Sequence, residues 1–330
     1  MPTIRDVSKL ANVSVATVSR VINQSGYVNK ETEEKVRQAM AVLQYVPSGM
    51  ARSLAGKNSA TIALIVPDIL NPFFPELARA VEAEAQERGY TVILCNSDYN
   101  AEKEQNYFRV LASRRIDGII IASNTIRPDQ LLALQKQEIP VVVIDNQYPD
   151  LPILSLVSKN REGAKLAVRH LLEQDCRKIA HLSGPIDVTA ARERSLGYEE
   201  EMQERGLFVP SLIAGGQFQI EGGYDAMLLL LERHPDLDGV FAGNDLMAVG
   251  ALKALYKADR KVPQQVKLIG FDGIALSTVV PELTTVAQSI TDMGRQATGY
   301  LMKMIQKEPV TRRTYELDVH LLIRQTTLTE

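Results

Sequence analysis

The first 45 residues hold three short amphipathic segments, each preceded by a residue type that commonly caps a helix. The capping residues are Thr3, Ser14 and Asn29. Apolar side chains follow each cap at the three- and four-residue spacing of a helix. These side chains are Ile4, Val7, Leu10 and Ala11, then Val15, Val18, Val21 and Ile22, then Val36, Ala39, Met40 and Leu43. Two short helices joined by a tight turn and braced by a third predict a helix-turn-helix, whose second helix enters the major groove of DNA.

The same spacing also suits a small helical cap on a larger domain, but the charge distribution favours DNA binding. Residues 1–58 carry eight Lys and Arg against four Asp and Glu, a net charge of +4. The whole chain carries −3, so the residues after 58 carry −7. A basic head on an acidic body is typical of a phosphate-binding module joined to a part that does not bind nucleic acid.

Two motifs of this region resemble those of a known family. Residues 13–23 read VSVATVSRVIN, which resembles the recognition-helix signature of the lactose-repressor (LacI) family. Residues 50–56 read MARSLAG, which resembles that family's hinge helix, and the resemblance extends along the whole chain. We expect Arg20 to reach a guanine edge, and Val15 and Ala16 to make apolar contacts with bases. The side chains expected to contact phosphate are Ser14, Thr17, Ser19, Asn23, Tyr45 and Arg52.

The segment between head and body, residues 47–59, is predicted to be a conditional hinge. A helix this short is unstable in water alone, because nucleation costs more than so few hydrogen bonds return. If two copies dock in the minor groove, Leu54 can wedge between base steps. An ordinary linker is the alternative interpretation. The predicted organisation is a head at residues 1–46, this hinge, and an effector-binding and dimerisation domain at residues 60–330.

Length and composition exclude several classes of protein. A chain of 330 residues with 45% hydrophobic content is expected to fill two or three cores rather than one. No apolar run reaches the length of about 18 residues that a membrane span needs, and no apolar signal segment precedes the first helix. Cys95 and Cys176 lack metal or redox spacing, and the four histidines are scattered. We therefore expect a cytoplasmic protein with no metal or other cofactor.

From Thr61 onward, apolar runs of strand length alternate with amphipathic helical segments. The predicted strands are residues 62–66, 91–95, 118–122, 141–144, 178–182, 239–242 and 267–271, with late crossing segments at 285–288 and 315–322. Such alternation predicts doubly wound parallel sheets, and a pause around residues 150–158 indicates two similar lobes. The resemblance implies an α/β fold of the type I periplasmic-binding-protein kind, preceded by the all-α head. By that resemblance, residues 60–158 and 289–318 form the first lobe, and residues 159–288 and 319–330 form the second.

Polar and aromatic residues follow many of the predicted strands, where parallel sheets bind ligands. They are Asn71, Phe73, Phe74, Ser123, Asp145, Asn146, Arg194, Phe218, Asn244, Phe271, Asp272 and Gln288. Singly, each has a structural interpretation as a cap, a solvated charge or a core ring. Together they offer carboxylates and amides for hydroxyl groups and aromatic faces for the C–H surface of a sugar.

Several of these motifs resemble the ribose contacts of the ribose-binding branch of the fold. The resemblance implies that Asp145, Arg194, Asn244, Asp272 and Gln288 bind hydroxyls. It also implies that Phe73, Phe74 and Phe218 enclose the sugar ring. Two positions differ, because Asn146 replaces an arginine and Ser123 replaces an asparagine of the periplasmic ribose binder. Ribose, another pentose or a sugar phosphate therefore all remain possible effectors.

The resulting hypothesis is a homodimeric repressor that binds a pseudo-palindromic operator and is released by a sugar. One alternative is a catabolite-control regulator that needs a phosphorylated carrier protein. Another is a purine-type regulator whose ligand strengthens DNA binding. A remote alternative is a glycoside-acting enzyme using Asp145 and Asp272, but no nucleophile motif, cofactor motif or metal cluster supports catalysis. We therefore predict that the protein is not an enzyme.

Overall fold

In the computed structural model, which describes residues 2–23, 26–45, 59–274 and 279–328, the chain divides into two units, residues 1–60 and 61–330. The first unit holds helices α1 (Ile4–Ala11), α2 (Val15–Asn23) and α3 (Lys30–Val42). The order of short helix, short helix and longer bracing helix is the helix-turn-helix arrangement that the sequence predicts.

Local hydrogen bonds begin these three helices at the predicted caps. The Thr3 hydroxyl donates to Asp6 Oδ2 at 2.7 Å, Ser14 Oγ accepts the Thr17 N–H at 3.0 Å, and Asn29 Oδ1 accepts the Thr32 N–H at 2.7 Å. The core of the head consists of Val7, Ala11, Val18, Val21, Val36 and Ala39. Two residues of the predicted apolar faces do not join this core, because Leu10 is 52% exposed and Val15 is 40% exposed.

The second unit contains two six-stranded sheets, and helices connect most of the successive strands. The first sheet comprises β1 (Thr61–Val66), β2 (Thr91–Asn96), β3 (Gly118–Ile121), β4 (Val141–Ile144), β5 (Leu154–Ser158) and β11 (Thr314–Leu317). The second comprises β6 (Ile179–Ser183), β7 (Ile213–Gly215), β8 (Gly239–Ala242), β9 (Lys267–Asp272), β10 (Thr284–Gln288) and β12 (Val319–Leu322). The helices are α4 (Phe73–Glu87), α5 (Ala101–Ser113), α6 (Pro128–Lys136), α7 (Asn160–Glu173), α8 (Thr189–Glu204), α9 (Ile220–Arg233), α10 (Asp245–Lys257) and α11 (Ile290–Ile305).

Strand order gives each sheet the doubly wound topology. The orders are β11-β5-β4-β3-β1-β2 and β12-β10-β9-β8-β6-β7, and every pairing is parallel except that of β10 with β12. The central strands β3, β4 and β8 are buried from end to end, and β1 is buried after Thr61, as helices on both faces require. The predicted α/β fold class is confirmed.

The chain passes between the sheets at three places. It leaves the first sheet after β5, returns after β10 to form α11 against α4, and leaves again between β11 and β12. The predicted crossing segment 315–322 is therefore two strands, one in each sheet. The sequence interpretation also took residues 150–158 as a pause, whereas they include β5, and it did not predict the short β7.

Close helix packing in the second unit gives a stability prediction. A Cβ on Gly250 of α10 would lie 2.0 Å from the Ile220 carbonyl oxygen and 2.6 Å from the Tyr224 nitrogen. Because both are backbone atoms, Gly250→Ala is expected to lower the free energy of unfolding by roughly 3 kcal/mol. Gly299→Ala on α11 is the matched control, since its nearest neighbour would be 3.9 Å away. The control should be neutral or stabilise by about 0.5–1 kcal/mol. Urea unfolding of both variants is the measurement, and equal midpoints would contradict this packing.

Candidate functional site

A cavity of about 560 Å³, including its open mouth, lies where the carboxyl ends of both parallel sheets meet. Its walls from the first lobe are Pro67, Asn71, Phe73, Phe74, Tyr99, Ala122, Asn124, Ile144 and Asp145. Its walls from the second lobe are Val188, Ala190, Arg194, Phe218, Asn244, Asp272 and Gln288. Nine of the twelve residues that the sequence suggested for effector binding therefore line one cavity.

Arg194 organises the second-lobe wall and is only 3% exposed. Its Nε donates to Asn160 Oδ1 at 2.8 Å, and its Nη1 donates to the Gly243 carbonyl at 2.6 Å and to Asp272 Oδ1 at 3.3 Å. Its guanidinium carbon lies 3.7 Å from the centre of the Phe271 ring. A stacked guanidinium bonded on several sides has a fixed position, so it presents a fixed charge to the cavity.

Each lobe places one carboxylate at the cavity, with Asp272 buried and Asp145 half-buried. Burial raises the pKa of Asp272 to about 6, although the Arg194 guanidinium and the Gln288 amide act in the opposite direction. Burial also raises the pKa of Asp145, and Arg194 again offsets part of that effect. Gln288 Nε2 donates to Asp272 Oδ1 at 2.7 Å, whereas the buried Gln288 Oε1 accepts no hydrogen bond within the described residues. The second-lobe wall therefore contains a buried acceptor, Gln288 Oε1, that a ligand hydroxyl could satisfy.

Aromatic rings supply the apolar walls. Phe73 and Phe74 begin α4 with their ring centres 5.1 Å apart, edge to face. Phe218 comes from the second lobe and has a left-handed backbone, with φ of 58°. Its ring lies directly on Gly184, where a Cβ would approach within 2.3 Å. Rings on two sides of a polar cavity suit a ligand with apolar faces and a polar rim.

Asn244 lines the cavity at the start of α10, and the next residue, Asp245, bonds to the backbone that follows β9. Asn244 Oδ1 caps α10 by accepting the Met247 N–H at 2.9 Å. Asp245 lies behind and accepts the backbone N–H groups of Gly273 and Ile274, each at 2.9 Å. Burial and the charge of Asp272 raise the pKa of Asp245 well above its usual value. Asp245 thus fixes the turn that follows Asp272.

Three predicted effector residues do not line the cavity. Ser123 donates its hydroxyl to the buried Glu104 carboxylate at 2.5 Å, so it points behind the sheet. Asn146 donates to the Tyr148 hydroxyl at 2.9 Å and accepts from the Thr189 hydroxyl at 2.9 Å. Phe271 is fully buried beneath Arg194.

Two polar lining residues were not predicted from the sequence. Tyr99 follows β2, and burial together with the charges of Asp68 and Asp272 raises the pKa of its hydroxyl to about 12. Asn124 follows β3, one residue beyond the predicted Ser123. The rule that ligands lie beyond the carboxyl ends of parallel strands would have included both, since it applies equally to the end of β2.

The head presents an exposed surface on α2. Val15, Ala16 and Arg20 are exposed, with Val15 at 40%, while Val18 and Val21 face the core. Ser14 and Thr17 share a hydrogen bond of 2.8 Å between their hydroxyls at the start of this helix. Ser19 is half-buried, Asn23 is the last residue of α2, and Tyr45 is half-buried against the head core. Arg52 and Leu54 lie outside the described residues.

The described residues give no sign of a metal centre or a membrane span. They contain no group of three or more His, Cys, Asp or Glu side chains placed to hold a metal ion. Within the same part of the chain, no helix is long and apolar enough to cross a bilayer.

Both units match parts of one family of known proteins. Residues 3–48 match the bacterial regulatory proteins of the lacI family. Residues 59–325 match the periplasmic binding proteins and sugar-binding domain of the LacI family.

Similar whole proteins are transcriptional regulators. The ribose operon repressor of Halalkalibacterium halodurans is 45% identical over 99% of this chain and 97% of its own length. A lac repressor dimer bound to operator and the anti-inducer ONPF has a TM-score of 0.89 at 27% identity, covering 99% of both chains. A LacI-family regulator from Enterococcus faecium with bound ribose has a TM-score of 0.74 at 30% identity, covering 81% of this chain and 98% of the other. The predicted family and the prediction of a regulator rather than an enzyme are confirmed: this chain is a DNA-binding transcriptional regulator of the LacI family.

Proposed function

We propose that the protein represses a pentose-utilisation operon and leaves its operator when an uncharged pentose, D-ribose or a close relative, fills the cavity. The observation that carries the proposal is that two carboxylates, the buried Asp272 and the half-buried Asp145, face one cavity from different lobes. A polyhydroxy ligand donates a hydrogen bond from each hydroxyl, and a carboxylate accepts such bonds more strongly than a neutral group does. The bound ribose of the Enterococcus faecium relative and the name of the Halalkalibacterium halodurans relative support this choice.

The charges at the cavity favour a free sugar over a sugar phosphate. Among the described residues that line it, Arg194 is the only cation, and it already donates to Asp272, Asn160 and Gly243. A phosphate would bring about −2 charge next to two carboxylates in a desolvated site. We therefore propose that phosphorylation of the sugar abolishes binding.

Linkage between sugar and operator follows from contacts to both lobes. A ligand that touches Asp145 of one lobe and Asp272 of the other stabilises the arrangement in which the lobes are close. We propose that this closure disfavours the docked form of the hinge, with Leu54 as its minor-groove wedge and Arg52 on phosphate. A coupling of about 1–3 kcal/mol is usual between two linked sites, which corresponds to a roughly 5- to 150-fold weakening of operator binding. Two copies would occupy the half-sites of a pseudo-palindromic operator in the cytoplasm.

The first prediction concerns the effector and the direction of its effect. D-Ribose is expected to bind the full-length protein in calorimetry, whereas D-ribose 5-phosphate is expected not to bind. In fluorescence anisotropy with operator DNA, ribose should weaken DNA binding by roughly 5- to 150-fold.

Other results would favour the alternative regulators. Tighter operator binding with a purine would indicate a purine-type regulator. Operator binding only with a phosphorylated carrier protein would indicate a catabolite-control type. Either result, or tight binding of the sugar phosphate, would contradict the proposal.

The second prediction concerns base recognition by α2. Arg20→Ala is expected to weaken operator binding by about 1–3 kcal/mol and to reduce discrimination at one base pair. Arg37→Ala is the matched control, because Arg37 is an exposed arginine of the same head but pairs with Glu33 on α3 at 2.6 Å. The measurement is anisotropy against operators substituted at each position. Equal effects of the two variants would contradict a base contact by Arg20.

A further inference from the structure

The first-lobe wall of the cavity contains an amide oxygen without a hydrogen-bond donor. Asn124 lines the cavity, and its Oδ1 is buried with no partner among the described residues. A buried acceptor that meets no donor is unfavourable, so such atoms commonly receive a ligand or an ordered water. The position of Asn124 in the wall makes a ligand hydroxyl the appropriate donor.

The residues on either side of Asn124 are held from behind the sheet by one carboxylate. The Ser123 and Thr125 hydroxyls both donate to Glu104 Oε2, at 2.5 Å and 2.7 Å. The two hydroxyls also lie 3.0 Å apart, and the Thr125 N–H donates to Ser123 Oγ at 3.3 Å. We call Glu104, Ser123 and Thr125 the carboxylate clamp. It leaves the turn at Asn124 little freedom to rotate.

The helix that carries Glu104 and the loop that follows Thr125 are both held by further hydrogen bonds. Glu104 is 1% exposed and lies in the first turn of α5, which Asn100 caps by accepting the Lys103 N–H at 2.9 Å. Beyond the clamp, the Ile126 carbonyl accepts the Tyr148 hydroxyl at 2.9 Å, so the loop is fixed on both sides of the turn. Burial raises the pKa of Glu104, and the hydrogen bonds from the Ser123 and Thr125 hydroxyls offset part of that effect. Its Oε1 has no hydrogen-bond partner among the described residues. A buried carboxyl retained at such a cost is well explained if it positions a binding group.

We propose that Asn124 is a specificity-determining contact for one hydroxyl of the effector, and that Glu104 is the positioning residue that aims it through Ser123 and Thr125. This inference rests on the proposed function, since it needs a hydroxylated ligand in the cavity.

The contact is tested with D-ribose and its monodeoxy analogues titrated into the full-length protein. Asn124→Ala is expected to bind ribose about three- to tenfold more weakly, which is the usual effect of one lost neutral hydrogen bond. One analogue should bind the wild type more weakly by a similar factor, and Asn124→Ala should no longer distinguish that analogue from ribose. Gln135→Ala is the control, because it removes a first-lobe amide that does not line the cavity, and it should retain wild-type affinity.

The clamp is tested by comparing two substitutions of Glu104. Glu104→Leu removes the acceptor and should cause the same loss of affinity, together with the same loss of hydroxyl discrimination, as Asn124→Ala. Glu104→Gln keeps an oxygen that accepts both hydroxyls, so it should bind ribose within about twofold of wild type. If Glu104→Leu does not fold, the double variant Ser123→Ala/Thr125→Val removes the same hydrogen bonds from the loop side.

The outcomes separate this inference from the proposed function. If ribose binds the wild type, and Asn124→Ala binds it equally well and still distinguishes every analogue, the inference is wrong while the sugar proposal stands. If Glu104→Leu lowers affinity for ribose and all analogues by one common factor, the clamp has no role in aiming Asn124. If no sugar binds the wild type, both proposals are overturned.

Discussion

The buried pair of Arg194 and Asp272 is the interaction on which the cavity depends. Taking both charges out of water is costly, and the pair is tolerated because further groups share the charge. Phe271 covers the guanidinium, Asn160 and Gly243 accept from it, and Gln288 donates to the carboxylate. Breaking one member would leave the others uncompensated, so the second-lobe wall behaves as one rigid unit.

This network reaches the places where the chain passes between the sheets. Asn160, which accepts from Arg194, begins α7 directly after the first crossing, and its amide donates to the Ser158 carbonyl at 3.1 Å. Ser158 ends β5 of the first sheet, and its N–H in turn donates to Asp145 Oδ1 of the same first lobe at 3.3 Å. Gln288, the partner of Asp272, ends β10 at the second crossing. The groups that would hold the ligand are therefore bonded to the segments that join the two sheets. These bonds would connect an occupied cavity to the lobe closure that we propose.

Backbone conformations at the cavity support a functional interpretation. Tyr99, Asp145 and Phe218 have φ values of 55°, 54° and 58°, and Asp272 has φ of 117°. They are four of the fourteen described non-glycine residues with positive φ, a conformation that is unfavourable for most side chains and persists where the surrounding structure holds it. Here four of them bring polar or aromatic groups to one cavity.

The sequence was sufficient for the fold class and for most of the cavity, because both depend on periodicity and on the ends of apolar strands. Sequence patterns did not predict the orientation or exposure of individual side chains. Ser123 and Asn124 both follow β3, and only the buried Glu104 behind the sheet determines that the serine points backward and the asparagine inward. Leu10 satisfies the helical spacing but is exposed, since periodicity does not show how wide the buried face of a short helix is. Residues 314–322 divide into two strands because β11 pairs with β5 and β12 pairs with β10, in different sheets. Such long-range pairing cannot be deduced from the local sequence pattern.

A crystal structure of the full-length protein with D-ribose would test the central claim most directly. The account predicts the sugar ring between the Phe73 and Phe74 pair and Phe218, with hydroxyls about 2.5–3.0 Å from carboxylate oxygens of both Asp145 and Asp272. It also predicts Arg194 still bonded to Asp272. A sugar bound elsewhere, or one whose hydroxyls reach neither carboxylate, would contradict the account.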